Sequence, residues 1–256
     1  MNIIHISIDD VIYVFKELTD TKPSSIFDLH FFHYFKRLHE KYGAVVSCYC
    51  FYLYGDFTLA SCTRNYKAEF EANSDWLRFG FHGYSGKEDY GIQGEMESEK
   101  QYELVMGNLA EIVGIKALDT TTRIHRFQAA KAFMMYMMHA KYPTHALFGA
   151  DDNRLSYSLS VAENNQLLKH GIYNMNNMLI MRTTQRFDSV KPLSICRLFT
   201  HFRGGKYFFT HEWLFYPMTI GTKIKGTIIK GLIPITLIYY RYCLCCVCDF
   251  PIIRKL

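Results

Sequence analysis

A chain of 256 residues with 49% apolar and 21% charged side chains has the material for one large folded domain, which excludes an intrinsically disordered protein. Its net charge of +5 comes from Lys and Arg scattered along the chain, and without a basic stripe this argues against a nucleic-acid-binding surface. Aromatics reach 16%, enough to fill a core and still line a sugar-binding cleft with rings.

The run Ile3-Ile4-His5-Ile6-Ser7-Ile8 is β-branched and alternating, so it reads as a strand. It ends in Asp9-Asp10, which would place two carboxylates at the carboxyl edge of a sheet, where α/β folds gather their ligands. Two like charges so close call for a bound cation or a shared proton, unless one of them caps a helix starting near Val11. No basic segment precedes this run and the acids interrupt it, so it does not read as a secretory signal, and the expected location is cytoplasmic. Cys48, Cys50, Cys62 and Cys196 then fit reduced thiols better than a disulfide framework.

After Ser24-Ser25, apolar residues Ile26, Leu29, Phe32, Phe35 and Leu38 recur at helical spacing up to Gly43, predicting an amphipathic helix. Residues 44–54 follow as a buried strand, completing a βαβ unit. A polar helix is expected at 66–72, a strand at 76–81 ending on His82, and a helix at 98–113. The next expected strand, 121–127, leads into a Met-rich helix at 129–142, and Ala146–Gly149 is a short strand ending at Asp151-Asp152. The Asn-rich segment 173–178 reads as a loop before a strand at 178–182, Gly204-Gly205 as a turn, and Lys206–Thr210 as a last strand ending at His211-Glu212. Alternating strands and helices imply α/β architecture with a parallel sheet, closed as a barrel or left open.

Residues 1–220 make up the body of the chain, and 221–256 form an apolar tail. Within the tail, Gly231–Cys248 is apolar except for Arg241, at the lower length limit for spanning a bilayer, and Pro234 and Arg241 weigh against a clean span. Its cysteines (243, 245, 246 and 248) lack the paired spacing of a zinc knuckle. The end of the domain, a membrane-associated segment and an irregular end all remain open for this tail.

Chemically capable residues recur where the apolar strands stop: Asp9-Asp10, His82, Arg123 with His125, Asp151-Asp152, and His211-Glu212. In a parallel barrel these points share one face. An Asp and two His suit zinc or a similar divalent ion with an open position for water, a free carboxylate beside it can take a proton, and a His opposite can donate one. Such a set hydrolyses an amide or an ester.

These residues also resemble a known family. Ser7-Ile8-Asp9-Asp10 is similar to the opening Thr-Phe-Asp-Asp motif of polysaccharide deacetylases, the NodB-like enzymes of carbohydrate esterase family 4. Phe81-His82 resembles the start of their second motif, and Arg123-Ile124-His125 falls where they carry Arg-x-Pro. Ala150-Asp151-Asp152 sits near their acidic fourth motif, and Phe209-Thr210-His211 resembles the final Leu-x-His. The resemblance implies a distorted (β/α) barrel of about seven parallel strands. It implies Asp9 as general base, Arg123 orienting it, and His211 as general acid, with Asp10 and His82 holding one divalent metal ion. The family's second motif has another His four residues later, where this chain has Gly86, and His125 is the candidate to replace it. Tyr84, Asp151 and Trp213 are candidate substrate contacts.

The expected function is therefore removal of an acyl group, N-acetyl in the first instance, from a carbohydrate, with no nucleic-acid partner. Two alternatives stand beside it: a glycan-binding protein of the same fold with impaired catalysis, and a membrane-associated sugar-transfer enzyme using Asp151-Asp152 as its metal site. Nothing in the sequence addresses oligomeric state.

Overall fold

Strand β1, Ile4–Val11, opens the fold and runs beyond the apolar residues to carry Asp9 and Asp10 within it. The computed structural model describes residues 4–190, 195, 198–199 and 206–244; Cys196, Gly204-Gly205 and the tail beyond residue 244 lie outside them. In chain order the elements are α1 (Tyr13–Thr21), α2 (His30–Tyr42), β2 (Val46–Phe51), β3 (Leu53–Tyr54), β4 (Phe57–Thr58), α3 (Lys67–Ala72), β5 (Leu77–Gly83) and α4 (Glu95–Ile112). There follow β6 (Thr121–Thr122), α5 (Lys131–His139), β7 (Ala146–Gly149), α6 (Val161–His170), β8 (Ile172–Met175), β9 (Met178–Arg182), β10 (Gln185–Arg186), β11 (Lys206–His211) and α7 (Ile220–Leu244).

Two sheets form from these strands. The first has the order β10-β11-β1-β2-β5 with every pairing parallel; the second is β6-β7-β9-β8, with β8 antiparallel to β9. They meet along two seams. At one, the Asp119 N–H donates to the Phe79 carbonyl at 2.7 Å, and at the other the Thr184 N–H donates to the Tyr207 carbonyl at 2.8 Å. The first seam needs Gly80, because a Cβ there would lie 3.0 Å from the Thr121 carbonyl oxygen and 3.2 Å from the Tyr49 ring. Since β9 continues through Thr183-Thr184 into β10, the wall runs β1, β2, β5, β6, β7, β9–β10, β11 and back to β1. This is a distorted barrel of seven parallel strand positions.

A cluster of Tyr49, Ala146, Phe148, Met181 and Tyr207, drawn from both sheets, fills the barrel interior, while a larger core lies between the sheets and the helices. Alternation along each strand separates these two sets. At the amino-terminal end of β1, His5 bonds the Ser47 hydroxyl at 2.9 Å and stacks on Phe148 at 4.6 Å. Burial, and next the Arg123 charge, push its pKa down to about 3, so it is a neutral packing residue.

Two segments differ from the sequence reading. The expected strand 121–127 pairs only at Thr121-Thr122; the chain then turns through Arg126 and Phe127, which have φ of 58° and 60°. The Asn-rich loop is instead the tip of the β8–β9 hairpin, because Asn176 and Asn177 both accept positive φ (50° and 76°), as a primed turn requires.

The tail's helix, α7, buries Ile229, Ile233, Leu237 and Tyr240 in the main core. Pro234 lies inside this helix and has no N–H for the Lys230 carbonyl four residues earlier. The Tyr34 hydroxyl from α2 supplies the donor at 2.7 Å, where an unpartnered buried carbonyl would cost about 1–3 kcal/mol. No helix among the described residues is long and apolar enough to cross a membrane.

Candidate metal centre

Two β-bulges build the site. In the β1–β2 ladder Ile8 faces Cys48 but Val11 faces Cys50, so three residues of β1 span what two span on β2. The extra residue lets Asp9 and Asp10, which a regular strand would send to opposite faces, both serve the barrel mouth. Asp10 takes φ +62°, a left-handed conformation that Asp tolerates better than most residues. A second bulge in the β2–β5 ladder, between the Cys50–Phe81 and Phe51–Gly83 pairs, falls on His82.

Asp9 and Arg123 form a buried ion pair, exposed by 2% and 1%. Arg123 Nη1 donates to Asp9 Oδ1 at 2.9 Å and to the Ser7 hydroxyl at 2.7 Å, and Nη2 donates to the Thr183 hydroxyl at 3.1 Å. The guanidinium lies 3.9 Å from the Phe209 ring centroid. Residues from four strand positions thus fix one buried charge pair, joined through Asp9 Oδ1.

Asp10, His82 and His125 each offer a ligand atom, and these atoms lie within 4.8 Å of one another, the group among the described residues that fits a metal ion. His82 Nδ1 is bonded to the Arg123 carbonyl, which fixes that nitrogen as the donor and leaves Nε2 facing Asp10 Oδ1 at 3.2 Å. A carboxylate and an imidazole lone pair cannot sit so close without a cation or a proton between them. Burial opposes charge on each, yet the His82–Asp10 contact overrides it, raising the His82 pKa and lowering that of Asp10. Burial, then the His82 charge, push His125 down to about 4, so its lone pair is available at neutral pH. His125 Nδ1 is buried with no hydrogen-bond partner. Asp10 and the two imidazoles, an O/N/N donor set gathered in one small space, fit a divalent ion.

The position four residues after His82 is filled from elsewhere. Gly86 has no side chain, and a Cβ there would lie 3.9 Å from His125 Cε1, so the His125 ring stands beside the space a residue 86 side chain would enter. The turn that truncates β6 is what brings His125 there, with Arg126 Nη2 bonded to the Gly86 carbonyl at 3.2 Å.

His211 ends β11, with its ring stacked on Trp213 (centroids 5.9 Å apart). Its Nδ1 lies 3.3 Å from Asp188 Oδ1. Asp188 is wholly buried and also takes Arg186 Nε at 2.9 Å and Nη2 at 2.6 Å. Burial opposes its charge, but His211 and Arg186 hold its carboxyl well below the usual range. The sequence reading missed Asp188, which sits in a short turn after β10 without any motif around it. Asp151, expected as a substrate contact, accepts the Arg186 backbone N–H on Oδ2 at 3.2 Å, while Asp152 pairs with Arg154 at the surface.

Glu212, read from the sequence only as one of the polar residues at a strand end, has a structural use. Its carboxylate accepts three backbone N–H groups at the start of α1: Ile12 at 2.8 Å, Tyr13 at 2.7 Å and Val14 at 2.8 Å. It is a helix cap delivered from the far end of the chain, and it ties the loop after His211 to the residues just after Asp10.

Beside Asp10 opens a cleft of about 400 Å³ whose walls include Tyr13, Phe51, Leu53, Tyr54, Trp213 and Tyr216. Trp213, expected as a substrate contact, is part of this cleft wall. Tyr84 is packed differently: its ring stacks on Tyr52 at 5.2 Å against the core, and it is absent from the cleft wall.

No family model matches the chain, and no curated protein does. Solved structures similar to it include the carbohydrate esterase family 4 domain of a multidomain xylanase from the hindgut metagenome of Trinervitermes trinervoides (10% identity, TM-score 0.47, covering 90% of this chain and 80% of that one). Another is a family 4 acetyl xylan esterase from Clostridium thermocellum in complex with a cobalt ion (9% identity, TM-score 0.36, 70% and 72% covered). A third is a family 4 pseudoenzyme from Bacillus anthracis (9% identity, TM-score 0.37, 90% and 60% covered).

Proposed function

We propose that the protein is a divergent polysaccharide deacetylase, a metal-dependent hydrolase that removes an acyl group, N-acetyl in the first instance, from a carbohydrate. One observation carries this reading: Asp10, His82 and His125 converge beside a buried Asp9–Arg123 pair and a His211–Asp188 pair. Asp10, His82 and His125 would hold the ion, zinc by its fit to an O/N/N donor set. A bound divalent ion supplies Lewis-acid polarisation of the amide carbonyl and a lowered pKa for water.

The chain's own groups do the rest. Asp9, oriented through Oδ1 by Arg123, takes the proton of the attacking water on Oδ2. His211, whose Nδ1 is engaged by Asp188, presents Nε2 to protonate the leaving nitrogen as the C–N bond breaks. Water thus adds its oxygen to the acyl carbon, and its protons end on the products, a carboxylic acid and a free amine. The Trp213, Tyr13 and Tyr216 rings offer flat faces for the sugar.

Chelator-treated protein, reconstituted with zinc and given N-acetylglucosamine oligomers, should release acetate only with the metal, and His125→Ala should reduce release to background. A folded protein that takes up no metal and releases no acetate, yet binds the oligomers, would favour the glycan-binding alternative. The sugar-transfer alternative has less support, because Asp151 Oδ2 accepts the Arg186 backbone N–H and Asp152 is paired with Arg154.

A further inference from the structure

Helix α7 has two apolar faces, and the fold uses one. Ile229, Ile233, Leu237 and Tyr240 go into the core, while Ile220, Ile224, Ile228, Ile235 and Ile238 are exposed by 80%, 57%, 56%, 52% and 37%. At ~100° per residue the exposed isoleucines occupy a sector of roughly 80° opposite the buried face, so they form one stripe. Lys223 and Lys225 are exposed on either flank of it, and residues 220–244 contain four basic residues and no acid.

We propose that this face of α7 docks on an anionic membrane surface. An apolar stripe with cations along its flanks lies at the boundary between lipid headgroups and acyl chains, the lysines meeting phosphates as the isoleucines enter the hydrocarbon. The helix lies on the bilayer and does not cross it, consistent with the absence of a spanning helix among the described residues. A second copy is a poor occupant, since pairing two such stripes brings lysines against lysines with no acid on the helix to offset them. Docking also sets the location of the cleft. Met218, in the cleft wall and 74% exposed, lies two residues before Ile220, so the cleft mouth is held beside the lipid surface.

The test is co-sedimentation of the full chain with vesicles of phosphatidylcholine alone or with about one-third phosphatidylglycerol. The protein should pellet with the anionic vesicles, weakly with neutral ones, and less as salt rises. Ile224→Asp combined with Ile228→Asp should reduce pelleting to the neutral-vesicle level. Lys223→Glu should weaken pelleting without moving the unfolding midpoint, since its side chain is exposed. Failure to pellet, pelleting unaffected by these substitutions, or a dimer in solution that the isoleucine substitutions break would each overturn the proposal.

Discussion

Asp9→Asn should bind the metal as the wild type does and lose turnover by about 10²–10⁴-fold, the range for removing a positioned general base. The reasoning is geometric. Asp9 is held by Arg123, whereas the candidate metal-ligand group is formed by Asp10 with His82 and His125. Asparagine retains an oxygen for Arg123 and loses only the ability to take a proton. Acetate release and metal content measured on the same folded preparation check this. Retained turnover would remove Asp9 as the base, and lost metal would mean that the two carboxylates are not divided in their work.

Arg123→Leu should cost about 3–5 kcal/mol of stability, the penalty for leaving a buried charge without its partner. Asp9 is 2% exposed, so water does not replace the guanidinium, and Ser7 and Thr183 lose their donor in the same step. Adding Asp9→Asn to Arg123→Leu removes the orphaned charge and should recover part of the loss. Denaturant unfolding of the two single variants and the double variant measures the coupling. An Arg123→Leu cost below about 1 kcal/mol, the size of an exposed pair, would contradict the buried-pair description.

These two expectations rest on residues legible before the structure, since a period-2 strand ending in Asp-Asp declares both its direction and its edge. His82 was legible for the same reason. His125 was legible only as a vacancy-filler, because Gly86 stands where a side chain is usual. Its route into the site was not: the reading extended the β6 segment through residue 127, whereas positive φ at Arg126 and Phe127 turns the chain after two paired residues. Asp188 and Glu212 were invisible as partners. A lone acid in a turn has no period, and a carboxylate that caps a helix about two hundred residues away leaves no local spacing to read. The bulges are invisible likewise, because an inserted residue in one ladder is defined by its partner strand. Composition left the tail open between the end of the domain, a membrane-associated segment and an irregular end: its apolar residues divide between a buried and an exposed face of one helix, and mean hydropathy does not separate the two.

Metal analysis of the purified protein reaches the centre of the account most directly. The wild type should carry one equivalent of a divalent ion, zinc when zinc is supplied, and Asp10→Ala, His82→Ala and His125→Ala should each lose it while Asp9→Asn retains it. A wild type that folds normally but takes up no ion, or an ion that survives removal of His125, would contradict convergence of the three on one site.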